Sequence, residues 1–127
     1  MPFTGRELRS RIDKDGTLSL SLEPVEIGDP ADDEIVVRVE AAPINPSDLG
    51  LLLGPADLST LEQAREGDTP TLRLRIPEPR LAAVQGRLGQ SLPVGNEGAG
   101  TVAAAGRDAH ALLGARVGMI CGGMYAD

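Results

Sequence analysis

An amide and a carboxylate side by side in a glycine-rich segment are the first candidates for chemistry in this chain. Asn96 and Glu97 lie within residues 93–100, whose sequence is P-V-G-N-E-G-A-G. Residues this small predict backbone packed closely against another segment, which would hold the two polar side chains in a fixed place. Residues 101–106, T-V-A-A-A-G, are typical of a short strand that ends at a glycine turn. The pair is therefore predicted at the entrance to a strand, where polar side chains can face a cleft.

A second polar group follows another predicted strand. Residues 43–48 have the sequence P-I-N-P-S-D, and their two prolines fix φ and remove backbone donors, so the strand must stop there. Asn45 is interpreted either as a turn amide bonded to local backbone or as a ligand contact. Asp48 is interpreted most simply as the cap of a short helix over residues 49–53.

Together these residues define the candidate site. An unpartnered buried carboxylate is costly, so Glu97 among such small residues is expected to be functional or internally paired. Four side chains are predicted to line a substrate or cofactor, and three glycines are predicted to be structural. The side chains are Asn45, Asp48, Asn96 and Glu97, and the glycines are Gly95, Gly98 and Gly100.

Short strands must position these residues. Leu18, Leu20 and Leu22 alternate with serines, which is typical of a half-buried strand, and residues 7–12 are its expected hairpin partner. The pattern lacks the strand–helix alternation of a doubly wound sheet, and it predicts a mainly β fold with short helices, a partly open β-barrel or sandwich. Further strands are expected at residues 35–42, 71–76, 101–105 and 116–121.

Two minor helices and one long excursion interrupt the predicted strands. The first helix covers residues 49–53 and ends at a Gly-Pro pair. The second covers residues 78–88, where leucine and valine recur at helical spacing until Gly89 stops it. Residues 55–92 form an insertion-like excursion that matches no motif.

The composition excludes a nucleic-acid partner. The chain has 127 residues, which indicates one domain over residues 1–127, and a net charge of −7 from 12 basic and 19 acidic residues. It has no basic run, and Phe3 and Tyr125 are its aromatic residues, so both the electrostatic footprint and the stacking platform of a nucleic-acid binder are missing.

Cysteine use and hydropathy predict a cytoplasmic protein without a membrane role. Cys121 is the one cysteine, which rules out an internal disulfide and favours a reducing compartment. No apolar run approaches the roughly 20 residues of a membrane span. The first ten residues, M-P-F-T-G-R-E-L-R-S, lack the apolar segment of a signal peptide.

Three kinds of chemistry find no support in the residues. A zinc site needs three or four ligands, and His110 is expected in an exposed connector while Cys121 is expected to be a small core residue, so no metal is predicted. The glycines of G-N-E-G-A-G are spaced three and two apart, the reverse of the dinucleotide-binding G-x-G-x-x-G order. No serine or cysteine has a plausible histidine partner for nucleophilic catalysis.

Several of these segments resemble the N-terminal, GroES-like catalytic domain of the medium-chain dehydrogenase/reductase superfamily. The likeness is greatest to its zinc-independent quinone oxidoreductase branch. The order and spacing of the segments, which cover nearly the whole chain, carry the resemblance. They are residues 34–42 (E-I-V-V-R-V-E-A-A), 44–48 (I-N-P-S-D), 93–100 (P-V-G-N-E-G-A-G), 114–117 (G-A-R-V) and 122–126 (G-G-M-Y-A).

The resemblance implies a metal-free oxidoreductase that uses NADPH. Zinc alcohol dehydrogenases usually place a cysteine in the first loop and a histidine before the motif glutamate, whereas this chain has Asn45 (or its neighbour) and Asn96 there. Members of the zinc-free branch reduce a quinone or an activated double bond by hydride transfer from NADPH. The resemblance places Asn45 near the nicotinamide ribose or substrate, with Asn96 and Glu97 lining the same cleft and Glu97 structural rather than a proton donor.

The resemblance also predicts a missing partner. The family's nucleotide-binding Rossmann domain should follow, and the sequence stops at Asp127. The chain is therefore expected to be a piece of a longer reductase, one half of a split enzyme, or a stand-alone module whose exposed strand edge pairs in a homo-oligomer. On the first two readings it is inactive alone, since hydride transfer needs a cofactor held at contact distance. The competing hypothesis is a non-catalytic, GroES-like binding or assembly module.

Overall fold

The computed structural model describes residues 2–127 and shows a mainly β protein with short helices. The strands are β1 (Phe3–Ile12), β2 (Thr17–Ile27), β3 (Ile35–Ala41), β4 (Asp57–Glu66), β5 (Thr69–Arg75), β6 (Leu92–Pro93), β7 (Glu97–Ala105) and β8 (Arg116–Ile120). The α-helices are α1 (Leu49–Leu52) and α2 (Glu78–Leu81), and single 3₁₀ segments cover Pro46–Asp48, Ala82–Arg87 and His110–Leu112.

The strands form two sheets. One has five strands in the order β4-β5-β2-β1-β6, and the other has three in the order β3-β7-β8. The pairings β1–β6, β2–β5, β3–β7, β4–β5 and β7–β8 are antiparallel, as expected for strands joined by turns rather than by crossover helices. The predicted hairpin of residues 7–12 with the leucine–serine strand is confirmed as β1 and β2.

The chain divides into two compact units, which are described separately. Unit 1 comprises residues 2–7, 24–43 and 95–127, and it contains the whole β3-β7-β8 sheet. Unit 2 comprises residues 8–23 and 44–94, and it contains β4, β5, β6 and both α-helices.

Unit 2 is built around aliphatic side chains. Ile12 and Leu18, which flank the turn between β1 and β2, are fully buried, and Leu74 and Ile76 join them from β5 and its end. The predicted 78–88 helix is one α-turn followed by a 3₁₀ segment. Its spacing was informative nevertheless, because its apolar side chains pack on this cluster. They are Leu81, Val84 and Leu88.

Strand β4 was not predicted from the sequence, in which residues 57–66 belong to the expected excursion. Asp57–Glu66 is the edge of the five-stranded sheet and pairs only with β5, so most of its residues are exposed on both faces and no apolar alternation marks it. Gly67 completes the hairpin turn with φ +62°, a conformation that glycine adopts at no steric cost. The excursion is therefore largely a β-hairpin.

Buried and exposed residues alternate along β7, the central strand of the sheet in unit 1. Gly98, Gly100 and Val102 are buried, while Glu97 and Ala99 between them are exposed. The buried positions face the interior of the unit and the exposed positions form the outer face of the β3-β7-β8 sheet. This alternation places the sequence-predicted glutamate on the outside.

Candidate functional site

The glycines of residues 93–100 lie against the segment that follows β8. Gly95 has φ +96°, and a Cβ on it would lie 2.7 Å from Tyr125 Cδ1. A Cβ on Gly98 would lie 2.9 Å from Met124 Sδ. Gly95 is required, because its φ is positive and the Tyr125 backbone nitrogen also lies 3.0 Å from such a Cβ. At Gly98 an added Cβ would force the flexible Met124 side chain to move.

The third glycine lets two strands approach each other. A Cβ on Gly100 would lie 2.0 Å from the carbonyl oxygen of Arg38 on β3, which is backbone and cannot swing aside. Gly100 pairs with Val39, next to an irregularity in the β3–β7 register. The glycines thus hold the interior side of the segment that carries Asn96 and Glu97.

Asn96 and Glu97 themselves are exposed. The Asn96 carbonyl oxygen accepts a hydrogen bond from the Cys121 N–H at 2.9 Å, which joins the start of β7 to the end of β8. Glu97 is the first residue of β7 and lies opposite Ile120. Glu97 points outward because Gly98 takes the interior position and side chains alternate with a period of two along the strand.

A shallow groove runs across the outer face of the β3-β7-β8 sheet at Glu97. Its volume is about 410 Å³, within the range of small-molecule sites. Ala41, Ala99 and Gly118 lie opposite one another on the three strands and form a flat floor of minimal side chains. The groove is lined by Ala41, Pro43, Glu97, Gly98, Ala99, Gly118, Met119 and Ile120.

The lining makes the groove an apolar surface with a single charge. Glu97 supplies the charge, and the remaining described lining residues carry alanine, proline, glycine, methionine and isoleucine side chains. A flat apolar ligand would be held by the floor, and a ligand that also carries a donor would gain a hydrogen bond from Glu97, because an ionised carboxylate only accepts. Pro43 is held in this wall by its carbonyl oxygen, which accepts a hydrogen bond from the Tyr125 hydroxyl at 3.1 Å.

Sequence reasoning missed the floor of this groove. Alanine and glycine at positions 41, 99 and 118 have no chemistry of their own, and they become a surface only through the registers of β3 with β7 and of β7 with β8. The signal in the sequence was the small size of the residues around Glu97, which predicted close backbone packing and not an exposed floor.

Asn45 and Asp48 lie in unit 2, where they form a local capping arrangement. The Asp48 carboxylate accepts a hydrogen bond from the Asn45 N–H at 2.8 Å, and the Asp48 N–H donates to the Asn45 carbonyl oxygen at 2.9 Å. They thus close the first turn of the Pro46–Asp48 segment as a capping box. Asp48 is fully buried, and its side chain caps this turn rather than α1.

Arg87 and Ser10 hold α1, the helix that directly follows Asp48. The Ser10 hydroxyl, which is fully buried, donates to the Leu51 carbonyl oxygen at 2.6 Å and accepts from Arg87 Nη2 at 2.8 Å. Arg87 Nη1 also donates to the Gly50 carbonyl oxygen at 3.3 Å. Partial burial lowers the pKa of the Arg87 guanidinium from its ordinary value, but it stays a cation at neutral pH. No sequence pattern marked either residue.

The four predicted side chains form two pairs, one in each unit. Asn96 and Glu97 are neighbours in unit 1, and Asn45 and Asp48 are hydrogen-bonded in unit 2. Convergence of the two pairs on one cleft stays a prediction.

The remaining candidates for chemistry are at the surface. His110 is exposed, as predicted for a connector. Cys121 is also exposed, so the expectation of a core position was wrong: β8 ends at Ile120, and the chain leaves the sheet there. Within residues 2–127, no group of three or more His, Cys, Asp or Glu side chains is arranged to hold a metal ion. In the same range no helix is long and apolar enough to span a membrane.

No protein-family model matches the chain, and no curated protein matches it.

Proposed function

We propose that this chain is the substrate-side half of a zinc-independent, NAD(P)H-dependent quinone oxidoreductase-like enzyme with a GroES-like, partly open β-barrel fold. The proposed reaction is the reduction of a quinone or an activated double bond in the cytoplasm. The observation that carries the proposal is the groove, whose flat floor of Ala41, Ala99 and Gly118 ends beside the Glu97 carboxylate.

The shape of the groove favours a planar ring. Neighbouring strands lie about 4.8 Å apart, so three strands with minimal side chains offer a flat strip about 10 Å wide. An aromatic-sized ring can lie on this strip and bury one face against apolar atoms. Glu97 at the end of the strip can accept a hydrogen bond from the hydroxyl of a reduced ring. A quinone carbonyl is itself an acceptor, so it forms no hydrogen bond with this carboxylate and is held by the floor alone.

The packing of the family-like segments inside unit 1 gives further support. Residues 34–42 form β3, which pairs with the strand that begins at Glu97, and this strand pairs with β8. Within residues 122–126, Tyr125 lies against Gly95 and Met124 lies against Gly98. Segments that are far apart in sequence, and that carry the resemblance, thus form one compact arrangement around the groove.

The groove does not fit NADPH. A dinucleotide needs cations or a glycine-rich helix N-terminus for its phosphates, and the described residues that line the groove include no lysine or arginine. The negative charge of Glu97 would repel phosphate. We therefore propose that a Rossmann domain, in the same protein or on a partner chain, holds NADPH, and that this chain alone is inactive.

Amide chemical shifts during titration with tetramethyl-1,4-benzoquinone test the proposal. The protein carries Cys121→Ser, since the exposed thiol could react with a quinone. We expect a dissociation constant of about 1 mM, which is typical of a small ring on an open surface, with shifts concentrated at Ala41, Ala99 and Gly118. Shifts spread evenly over the surface, or saturable micromolar binding of NADPH in a parallel titration, would contradict it.

A non-catalytic, GroES-like binding or assembly module is the second candidate. The observation that favours it is the exposed, regular edge of β8. Failure of the ring to bind, together with self-association of the chain, would select this alternative.

A further inference from the structure

The edge strands of the two sheets differ in how they are protected against pairing. Natural edges are usually short, charged, interrupted by proline or irregular in register. Strand β6 has two residues and one is Pro93. Strand β4 carries charged residues and a register irregularity, and β3 has two irregularities. Strand β8 has none of these devices apart from one charge, on Arg116, and its register with β7 is continuous over five residue pairs.

The hydrogen bonds to β7 show which backbone groups of β8 point outward. The Cys121 N–H donates to the Asn96 carbonyl oxygen at 2.9 Å, and the Val102 N–H donates to the Ala115 carbonyl oxygen at 2.9 Å. In an antiparallel pair such bonds occur at every second residue, so odd-numbered residues of β8 face β7. The N–H and C=O groups of Arg116, Gly118 and Ile120 therefore form the open edge.

We propose that β8 pairs with β8 of a second copy of this chain, antiparallel about a two-fold axis at Gly118. In this register the three outward-facing residues pair among themselves: Gly118 faces its own equivalent, and Arg116 faces Ile120. All three are exposed in the isolated chain, and Ile120 is 89% exposed. Each edge thus satisfies the open backbone groups of the other.

Charge complementarity favours a second copy as the occupant. Glu97 lies opposite Ile120 on β7, so the two-fold places Arg116 of the second copy two strands from Glu97, about 10 Å between backbones. The long arginine side chain can reach across Ile120 toward this carboxylate and cover its apolar surface. The same contact occurs twice by symmetry. The alanine–glycine floors of the two copies also become continuous through the paired Gly118 residues.

Sedimentation velocity of the full chain from about 1 to 300 µM tests the pairing. We expect a reversible monomer–dimer equilibrium. Gly118→Pro removes an N–H that points away from β7, so it leaves the β7–β8 hydrogen bonds intact and should weaken the dimer about 30-fold through loss of two intermolecular bonds. Gly118→Ala is the matched control, because its Cβ meets nothing within 4 Å and the N–H is kept, so its dimer should persist.

A cross-link separates the proposed register from other modes of association. Gly118→Cys in a Cys121→Ser background should form an intermolecular disulfide under mild oxidation, because paired residues on the axis have Cα atoms about 5.5 Å apart. A chain that stays monomeric throughout the concentration range would overturn the proposal. So would a dimer that Gly118→Pro leaves unchanged and that the cysteine variant does not cross-link, or binding of an unrelated extended peptide to a monomeric chain.

Discussion

The two units of this protein exclude water in different ways. Unit 2 buries aliphatic side chains, and Ile12, Leu18 and Leu74 are at most 1% exposed. Unit 1 relies on the close approach of backbone to backbone, with Gly100 against Arg38 on β3. In unit 1 the small residues also form a flat floor on the outer face of the sheet, at Ala41, Ala99 and Gly118. The groove therefore lies where packing is achieved with the smallest residues.

Truncation inside the aliphatic cluster should give the largest effect and sharpen this contrast. Leu74→Ala removes a side chain that is 1% exposed, so we expect a loss of about 3 kcal/mol in the free energy of unfolding from lost burial and the remaining cavity. Leu72 on the same strand is 38% exposed and serves as the control, with an expected loss under about 1.5 kcal/mol. Urea unfolding measures both. Equal losses would contradict the assignment of the core.

Addition of one methyl group should damage unit 1. Gly100→Ala places a Cβ 2.0 Å from the Arg38 carbonyl oxygen, so β3 must shift, and we expect a loss of about 1–3 kcal/mol. Gly118→Ala on the neighbouring strand meets nothing within 4 Å and should change the free energy of unfolding by less than about 0.5 kcal/mol. If both variants unfold at the same urea concentration as the parent, close backbone approach does not hold this sheet.

Acid should weaken unit 2 through two turn carboxylates. The pKa of Asp15 is lowered mainly by the hydrogen bond that it accepts from the Thr17 N–H, and the pKa of Asp57 mainly by the Ser59 hydroxyl. A lowered folded-state pKa stabilises the fold above the unfolded value of about 3.9, and this contribution is lost as pH falls through the folded value.

We expect unit 2 to lose stability as pH falls below about 4. The loss should be smaller in Asp15→Ala and in Asp57→Ala, because each variant lacks one of the two carboxylates. Hydrogen exchange followed by residue-resolved NMR at pH 5 and pH 3 would measure it. The effect is small, because both carboxylates are at the surface. If neither substitution changes the loss of stability in acid, groups other than Asp15 and Asp57 cause that loss.

The sequence predicted the strands that alternate and missed the features that depend on pairing. Leucines alternating with serines marked β2, and the short valine-rich run marked β3. The prediction of a half-buried β2 was wrong at its start, where Ser19 is buried together with Leu18 and Leu20. Strand β4 shows no such pattern, since an edge hairpin leaves both of its faces in water. The packing of Gly95 and Gly98 could be expected from residue size, but the identity of the neighbouring residues could not.

In the candidate site, too, some features could be predicted from the sequence and others depend on strand pairing. The sequence singled out Glu97 and predicted close backbone packing around it, but the neighbours that leave no room for a Cβ could be named only from the structure. The floor at Ala41, Ala99 and Gly118 exists only through the pairing registers of three strands. Residues without functional groups become a surface when tertiary structure aligns them, and a linear pattern does not contain this information.

We propose above that the outer face of the β3-β7-β8 sheet binds a flat ring. One matched pair of variants tests this binding most directly. Ala99 lies in the floor of the groove, whereas Ala103 is exposed on the same strand outside it. In the tetramethyl-1,4-benzoquinone titration, Ala99→Leu should weaken binding at least about tenfold by filling the groove, and Ala103→Leu should leave the affinity within about twofold of the parent. Equal affinities for the two variants, at unchanged thermal stability, would contradict the account.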